Sequence, residues 1–92
     1  MAQACGIIEV FGLVTAFEAA DAGCKAANVT LETFDRNKPA NADALPVPLI
    51  ICVKFRGSVE DVTAAVDAAQ EVAERTTGMV TRYIIPGPDE GT

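Results

Sequence analysis

The chain offers cysteines and carboxylates for chemistry, but no histidine. Thiol chemistry would fall to Cys5, Cys24 or Cys52, and acid–base chemistry to Glu9, Glu18, Asp21, Glu32 or Asp35. Neither set has the pattern its chemistry needs. A nucleophilic thiol is activated by a neighbouring base, and a Cys–His pair is impossible within this chain. No CxxC pair supports metal transfer, and no glycine-rich phosphate loop is present. A lone thiol is usually a small buried hydrophobe. That is the expectation for Cys5 and Cys52, whereas Cys24 can face an interface. A carboxyl serves as a general acid when an apolar site raises its pKa. These carboxylates read instead as solvated surface acids. The residues therefore point to no catalytic group, no metal and no cofactor, and to a task shared by many copies.

Two further sets of charged residues need a setting. Arg36, Lys38 and Asp43 stand in residues 36–48, RNKPANADALPVP, which hold three prolines, two asparagines and no periodicity. Pro46 and Pro48 lack backbone donors and keep their predecessors extended. A loop of this length is often functional. Alone it is a solvated connection. In a ring it would line an axis, where symmetry turns one charge into a circle of charges that selects ions or small metabolites. Lys25 has an ordinary reading as the i,i+4 partner of Asp21.

The elements that must position these residues follow from periodicity. Residues 5–11 (CGIIEVF) alternate as a strand, with Ile8 and Val10 on one face and Ile7, Glu9 and Phe11 on the other. Gly12 ends it. Residues 14–28 form a helix with Val14, Phe17, Asp21, Cys24 and Asn28 on one ridge and Ala20 and Ala27 beside it. Gly12 or Thr15 caps its start. Residues 29–35 alternate as a second strand, and residues 49–56 form a third whose first half is apolar throughout, suggesting a central position, and whose second half alternates. Ser58 and Asp61 make a capping-box-like pair for a second helix that runs to about Thr76. Its expected buried stripe is Val59, Val62, Val66, Ala69 and Ala73. Glu71 and Arg75 are set for an i,i+4 pair, and Gly78 is the natural stop. Residues 79–85 are the fourth strand. The order β-α-β-β-α-β is the ferredoxin-like split βαβ arrangement, an α+β fold. Right-handed crossovers put both helices on one side of a four-stranded antiparallel sheet.

Ninety-two residues make one domain, 1–92, with an extended loop at 36–48 and a tail at 87–92. A chain this short buries only about 60–65% of its unfolded surface. Half its residues are apolar, but only 5% are aromatic. A core of small side chains gains from oligomerisation. The net charge of −6 disfavours binding to nucleic acid or to an anionic membrane surface. Phe11, Phe34, Phe55 and Tyr83 lack the basic company that RNA recognition by such a sheet requires. An odd number of dispersed cysteines suits a reducing compartment. No secretory signal or membrane-spanning run is evident, so a cytoplasmic setting is expected.

The segment GLVTAFEAADAGCKAANVTL resembles the first half of bacterial microcompartment shell proteins, the BMC-domain family, which carry a similar G-[LM]-V-x-A-x-E-A-A-D-A-x-x-K-A-A-x-V run. VKFRGSVEDVTAAVDAAQEVAER and YIIPGPDE resemble the family's second half and its I-P-x-P ending. The resemblance spans about residues 4–36 and 49–88. It implies a non-enzymatic shell protein that forms a flat cyclic homo-hexamer with a central pore for small metabolites. Such hexamers tile with other shell proteins around encapsulated enzymes. Lys25 falls on the family's edge lysine, and Asp21, Ala26 and Asn28 belong to the same edge motif.

The resemblance has two departures. Gly87 stands where the family has arginine between two prolines. The loop is longer than the family's glycine-rich pore loops and holds no cysteine, so no metal cluster is expected there. The pore-lining candidates are Asn37, Lys38, Pro39, Ala40, Asn41, Ala42, Asp43 and Ala44. Lys38 and Asp43 are the foremost polar groups. Two other readings stay open. One is a dimeric or trimeric ferredoxin-like module that binds a small-molecule effector at a subunit interface. The other is a monomeric shell-associated cargo tether.

Overall fold

β1 (Ala4–Phe11) sends Ala4, Gly6, Ile8 and Val10 to one side, where all are buried, and Ile7, Glu9 and Phe11 to the other, where they are half-buried. The computed structural model describes residues 3–37, 50–76 and 79–87. After β1 come α1 (Leu13–Ala26), β2 (Thr30–Asn37), β3 (Ile50–Gly57), α2 (Val59–Thr76) and β4 (Met79–Ile85). The sheet order is β2-β3-β1-β4, and each neighbouring pair is antiparallel. This is the ferredoxin-like α+β topology expected from the sequence. Both helices lie on the face that carries Gly6 and Phe55, which stand opposite each other in register.

α1 begins at Gly12, whose φ of 85° is left-handed and suits glycine. The first helical bond runs from Ala16 N–H to Gly12 O at 3.1 Å. Gly12 is thus the cap, and Thr15 is a buried helix residue. The helix stops at Ala26, two residues before the expected Asn28. Ala27 is extended (φ −154°, ψ 167°), and Val29 N–H turns back to Ala27 O at 3.0 Å. The buried face of α1 is Thr15, Ala16, Ala19, Ala20 and Gly23, while Val14 and Phe17 point outward with 72% and 54% exposure. The larger apolar side chains are outside because α1 lies too close to its neighbours to admit them.

α2 has the predicted cap: Asp61 N–H donates to Ser58 Oγ, and Ser58 Oγ–H donates to Asp61 Oδ2, both at 3.0 Å. It buries Val62, Ala65, Val66, Ala69 and Ala73. Val59, expected in that stripe, is 46% exposed at the helix start, and Ala65 takes its place in the core. The Glu71–Arg75 pair forms at 3.5 Å on the exposed face. Gly78, the expected stop, lies outside the described residues.

The core joins Ile8 and Val10 of β1 with Ile51, Val53 and Phe55 of β3, under a helix layer built largely of alanine and valine. β2 departs from expectation in two ways. Arg36 and Asn37 continue β2 instead of opening the loop, because Asn37 still pairs with Ile50. Glu32 is an extra residue between Leu31 and Thr33, a bulge in the edge strand.

Candidate functional site

One end of the sheet gathers the predicted edge residues. Asp21 and Lys25 occupy the last turns of α1, with Nζ 3.0 Å from Oδ2 and both side chains mostly exposed. Ala26 closes the helix and Asn28 stands in the following turn, and both are exposed. Asn28 N–H donates to Asp61 Oδ1 at 3.4 Å, so the end of α1 is tied to the start of α2. All four edge candidates therefore share one exposed end. The Asp21–Lys25 contact is also the plain i,i+4 pair that spacing predicts.

Beside them lies a cleft of about 590 Å³ lined by Gln3, Ala4, Gly57, Ser58, Val59, Pro86 and Gly87. None of these side chains is titratable. Gly87, at φ 61°, is left-handed and bends the chain at the lip. The position where the family resemblance expects arginine thus has a backbone shape that favours glycine.

The opposite end carries the loop's two anchors. Asn37 closes β2 and stands opposite Ile50, which opens β3 beside Phe11. Of the pore candidates, Asn37 is the last strand residue, and residues 38–44 lie outside the described residues.

The sheet face away from the helices is amphipathic. In register, Arg56 stands beside Cys5 and Ile85 in line, Lys54 beside Ile7 and Tyr83, and Cys52 beside Glu9 and Thr81. Cys5 and Cys52 are buried as expected, and Cys24 is exposed on α1. The bulge brings Glu32 to Arg56, whose Nε donates to Oε2 at 2.5 Å. That hydrogen bond, with a smaller coulombic contribution from Cys5, raises the Arg56 pKa above its usual value.

On the helix side, Arg82 of β4 donates to Asp67 Oδ1 at 2.8 Å and to Gln70 Oε1. By spacing alone Asp67 and Gln70 fall on the solvent face of α2. No local spacing could reveal a partner 15 and 12 positions away. The two helices hold seven of the thirteen acidic and two of the seven basic residues, so one side of the slab carries most of the net negative charge. Among the described residues no group of three potential metal ligands occurs. No described helix is long and apolar enough to cross a membrane. The assembled features are flat faces, exposed edges and a long connection.

This is a ferredoxin-like module whose distinguishing residues sit on its ends and faces. The chain belongs to the BMC domain family, whose model matches residues 4–88. It is similar to the carboxysome shell protein CcmK3 of Halothece sp., 35% identical across 98% of this chain and 81% of that protein. It is also similar to the bacterial microcompartment shell protein EutK of Salmonella typhimurium, 36% identical across 100% of this chain and 51% of the relative. A third relative is the shell protein PduA of Citrobacter freundii, 34% identical across 94% and 83%. A crystal structure of a microcompartment protein from Desulfitobacterium hafniense DCB superposes with a TM-score of 0.75 at 26% identity, covering 98% of this chain and 44% of that one. The chain spans about half the length of several proteins it matches, EutK among them. The chain is thus a microcompartment shell protein, a structural component and not an enzyme.

Proposed function

We propose that six copies of this chain close into a ring with a central pore for small metabolites. Residues 37–45 turn to the axis, and Asp21, Lys25, Ala26 and Asn28 turn to the seams between rings. The rings tile with other shell proteins around encapsulated enzymes, in the cytoplasm. The observation that carries this reading is the separation of the two sets. The β2–β3 connection leaves from the Asn37–Ile50 end of the sheet, and the edge residues lie at the other. A protomer built this way offers one end to an axis and the other to a neighbour. The small-residue core supports the same reading, since a marginal protomer gains from burying more surface. The exposed Val14 and Phe17 ridge is further apolar surface available for burial.

The pore works by shape and by repeated charge, with Lys38 and Asp43 each presented six times. Native mass spectrometry across a wide concentration range tests the ring. A six-copy mass is expected, and only single chains or dimers would overturn the proposal.

A further inference from the structure

We propose that Asp61 is a positioning residue for the assembly edge on α1, in addition to being part of the α2 cap. The inference rests on reading Asp21, Lys25, Ala26 and Asn28 as edge contacts. α1 ends without a glycine stop. The sequence AANVT puts no left-handed residue after the helix, and Ala27 is extended. The usual local devices that set a chain's exit from a helix are missing. The exit is held instead from the β3–α2 turn, at two points.

The first point is the Asp61 carboxylate. Its Oδ1 accepts the Asn28 N–H at 3.4 Å, across 33 residues of sequence. Its Oδ2 accepts the Ser58 hydroxyl at 3.0 Å, and its own N–H returns a bond to Ser58 Oγ at 3.0 Å. This reciprocal cap fixes the carboxylate, so the oxygen that meets Asn28 is pre-aimed. The second point is Gly57. A Cβ there would stand 3.1 Å from Asn28 O and 3.3 Å from Val29 Cγ1, so the two turns lie backbone to backbone.

Lys25 and Asn28 are exposed, and apart from the Asn28 contacts with Asp61 and Gly57 just described they have only the Lys25–Asp21 pair, which lies within α1 itself. Where they stand follows from where the end of α1 is held. Contact groups in a repeating seam must be held to about 0.5 Å, the tolerance of any preorganised site. Asp61 touches the turn and not the seam itself, so it acts through Asn28.

The test compares Asp61→Ala, Asp61→Asn, Ser58→Ala and Lys25→Ala in the full chain. Three quantities are read: hydrogen exchange at the Asn28 amide, the protein concentration at which plates appear by electron microscopy, and particle mass. Asp61→Ala is expected to speed Asn28 exchange about tenfold, the equivalent of one charge-assisted hydrogen bond of modest strength. It should raise the plate-onset concentration by a similar factor and leave particle mass unchanged. Asp61→Asn keeps an acceptor oxygen and should restore most of both. Ser58→Ala weakens the α2 cap, and should lower thermal stability without moving plate onset to the same degree. If Asp61→Ala does not fold, Asp61→Ser, too short to reach Asn28, gives the same reading.

Wild-type plate onset for Asp61→Ala beside a defective Lys25→Ala would overturn the role of Asp61 and leave the edge reading standing. Wild-type onset for Lys25→Ala would overturn the edge reading and this inference with it. Equal assembly defects in Ser58→Ala and Asp61→Ala would reduce Asp61 to a helix cap and also overturn it.

Discussion

Gly23 of α1 and Phe55 of β3 meet with no room for a side-chain carbon between them. A Cβ on Gly23 would stand 2.5 Å from Phe55 Cζ, 2.7 Å from Cε1 and 3.1 Å from the Ala65 carbonyl oxygen. Phe55 is fully buried, so its ring has nowhere to retreat. In an open helix, Gly→Ala gains about 1 kcal/mol of propensity. Overpacking a filled core costs about 1–3 kcal/mol. The second effect wins here. Gly23→Ala is expected to lower stability by up to about 2 kcal/mol in urea denaturation, and a gain in stability would show that α1 lifts freely from the sheet.

Arg82 ties the edge strand β4 to α2. Its guanidinium reaches Asp67 and Gln70 together, through the one nitrogen Nη1. The Asp67 side chain is 61% exposed, so solvent screens the pair and the ion-pair part is small. Arg82→Met keeps the apolar stem and should cost about 0.5–1.5 kcal/mol. The difference from wild type should narrow in about 1 M salt, where the screening length falls to about 3 Å. A salt-independent difference would assign the loss to packing of the stem.

The order of elements was legible because strand and helix periods differ and the breaks fall on Gly12 and on Gly57–Ser58. The Ser58–Asp61 cap and the Glu71–Arg75 pair were legible because both are local. The inward face of α1 was not. Alanine occurs all round this helix, so hydrophobic periodicity does not select a side, and the choice falls to how closely α1 approaches Phe55. The end of β2 was obscured by Arg36 and Asn37, polar residues that look like loop but keep their ladder partners in β3. The tie between Asp61 and Asn28 joins positions 33 apart and has no sequence signature. At the candidate site, the edge residues are legible as a motif, while their shared end of the fold is a property of the topology.

The Arg56–Glu32 pair predicts an absence of pH dependence on the arginine side. The folded pKa of Arg56 is raised, first by the Glu32 hydrogen bond. A raised value gives stability that is fully present below the arginine's unfolded pKa and is lost only as pH climbs through the folded value. The arginine's own titration therefore stays outside any working range. The stability difference between wild type and Arg56→Gln should be constant from about pH 6 to 7, where neither arginine nor an ordinary carboxyl or thiol changes charge appreciably. A slope across that window, measured by denaturation in parallel buffers, would show that another group titrates against this pair.

Lys25 separates protomer stability from assembly. Its pair with Asp21 is exposed on both sides, and such i,i+4 pairs contribute about 0.3–0.5 kcal/mol. Lys25→Ala should thus change the denaturation midpoint hardly at all, since alanine also has the best helix propensity. Its effect should fall on plate formation, read by electron microscopy beside particle mass. Equal loss of plates and of folded protomer would contradict a contact role at the edge.

The β2–β3 connection offers the sharpest separation of fold from pore. Its anchors, Asn37 and Ile50, are paired in register whatever lies between them. Replacing residues 38–49 with a four-residue glycine-rich turn shortens the closed loop threefold. Closure entropy changes as about (3/2)RT ln 3, or about 1 kcal/mol in favour of the shorter loop. The shortened protein should fold with equal or slightly higher stability and keep the mass of the ring. On the proposed placement, passage through the ring should change, because the Lys38 and Asp43 charges leave the axis together. Ion conductance of rings reconstituted in a planar bilayer, or efflux of a small anion from assembled shells, reads that change. The double variant Lys38→Ala, Asp43→Ala should shift ion preference with no change in mass. If neither variant alters passage while both keep the ring, the loop is not at the axis, and the end of the sheet that carries Asn37 and Ile50 faces elsewhere.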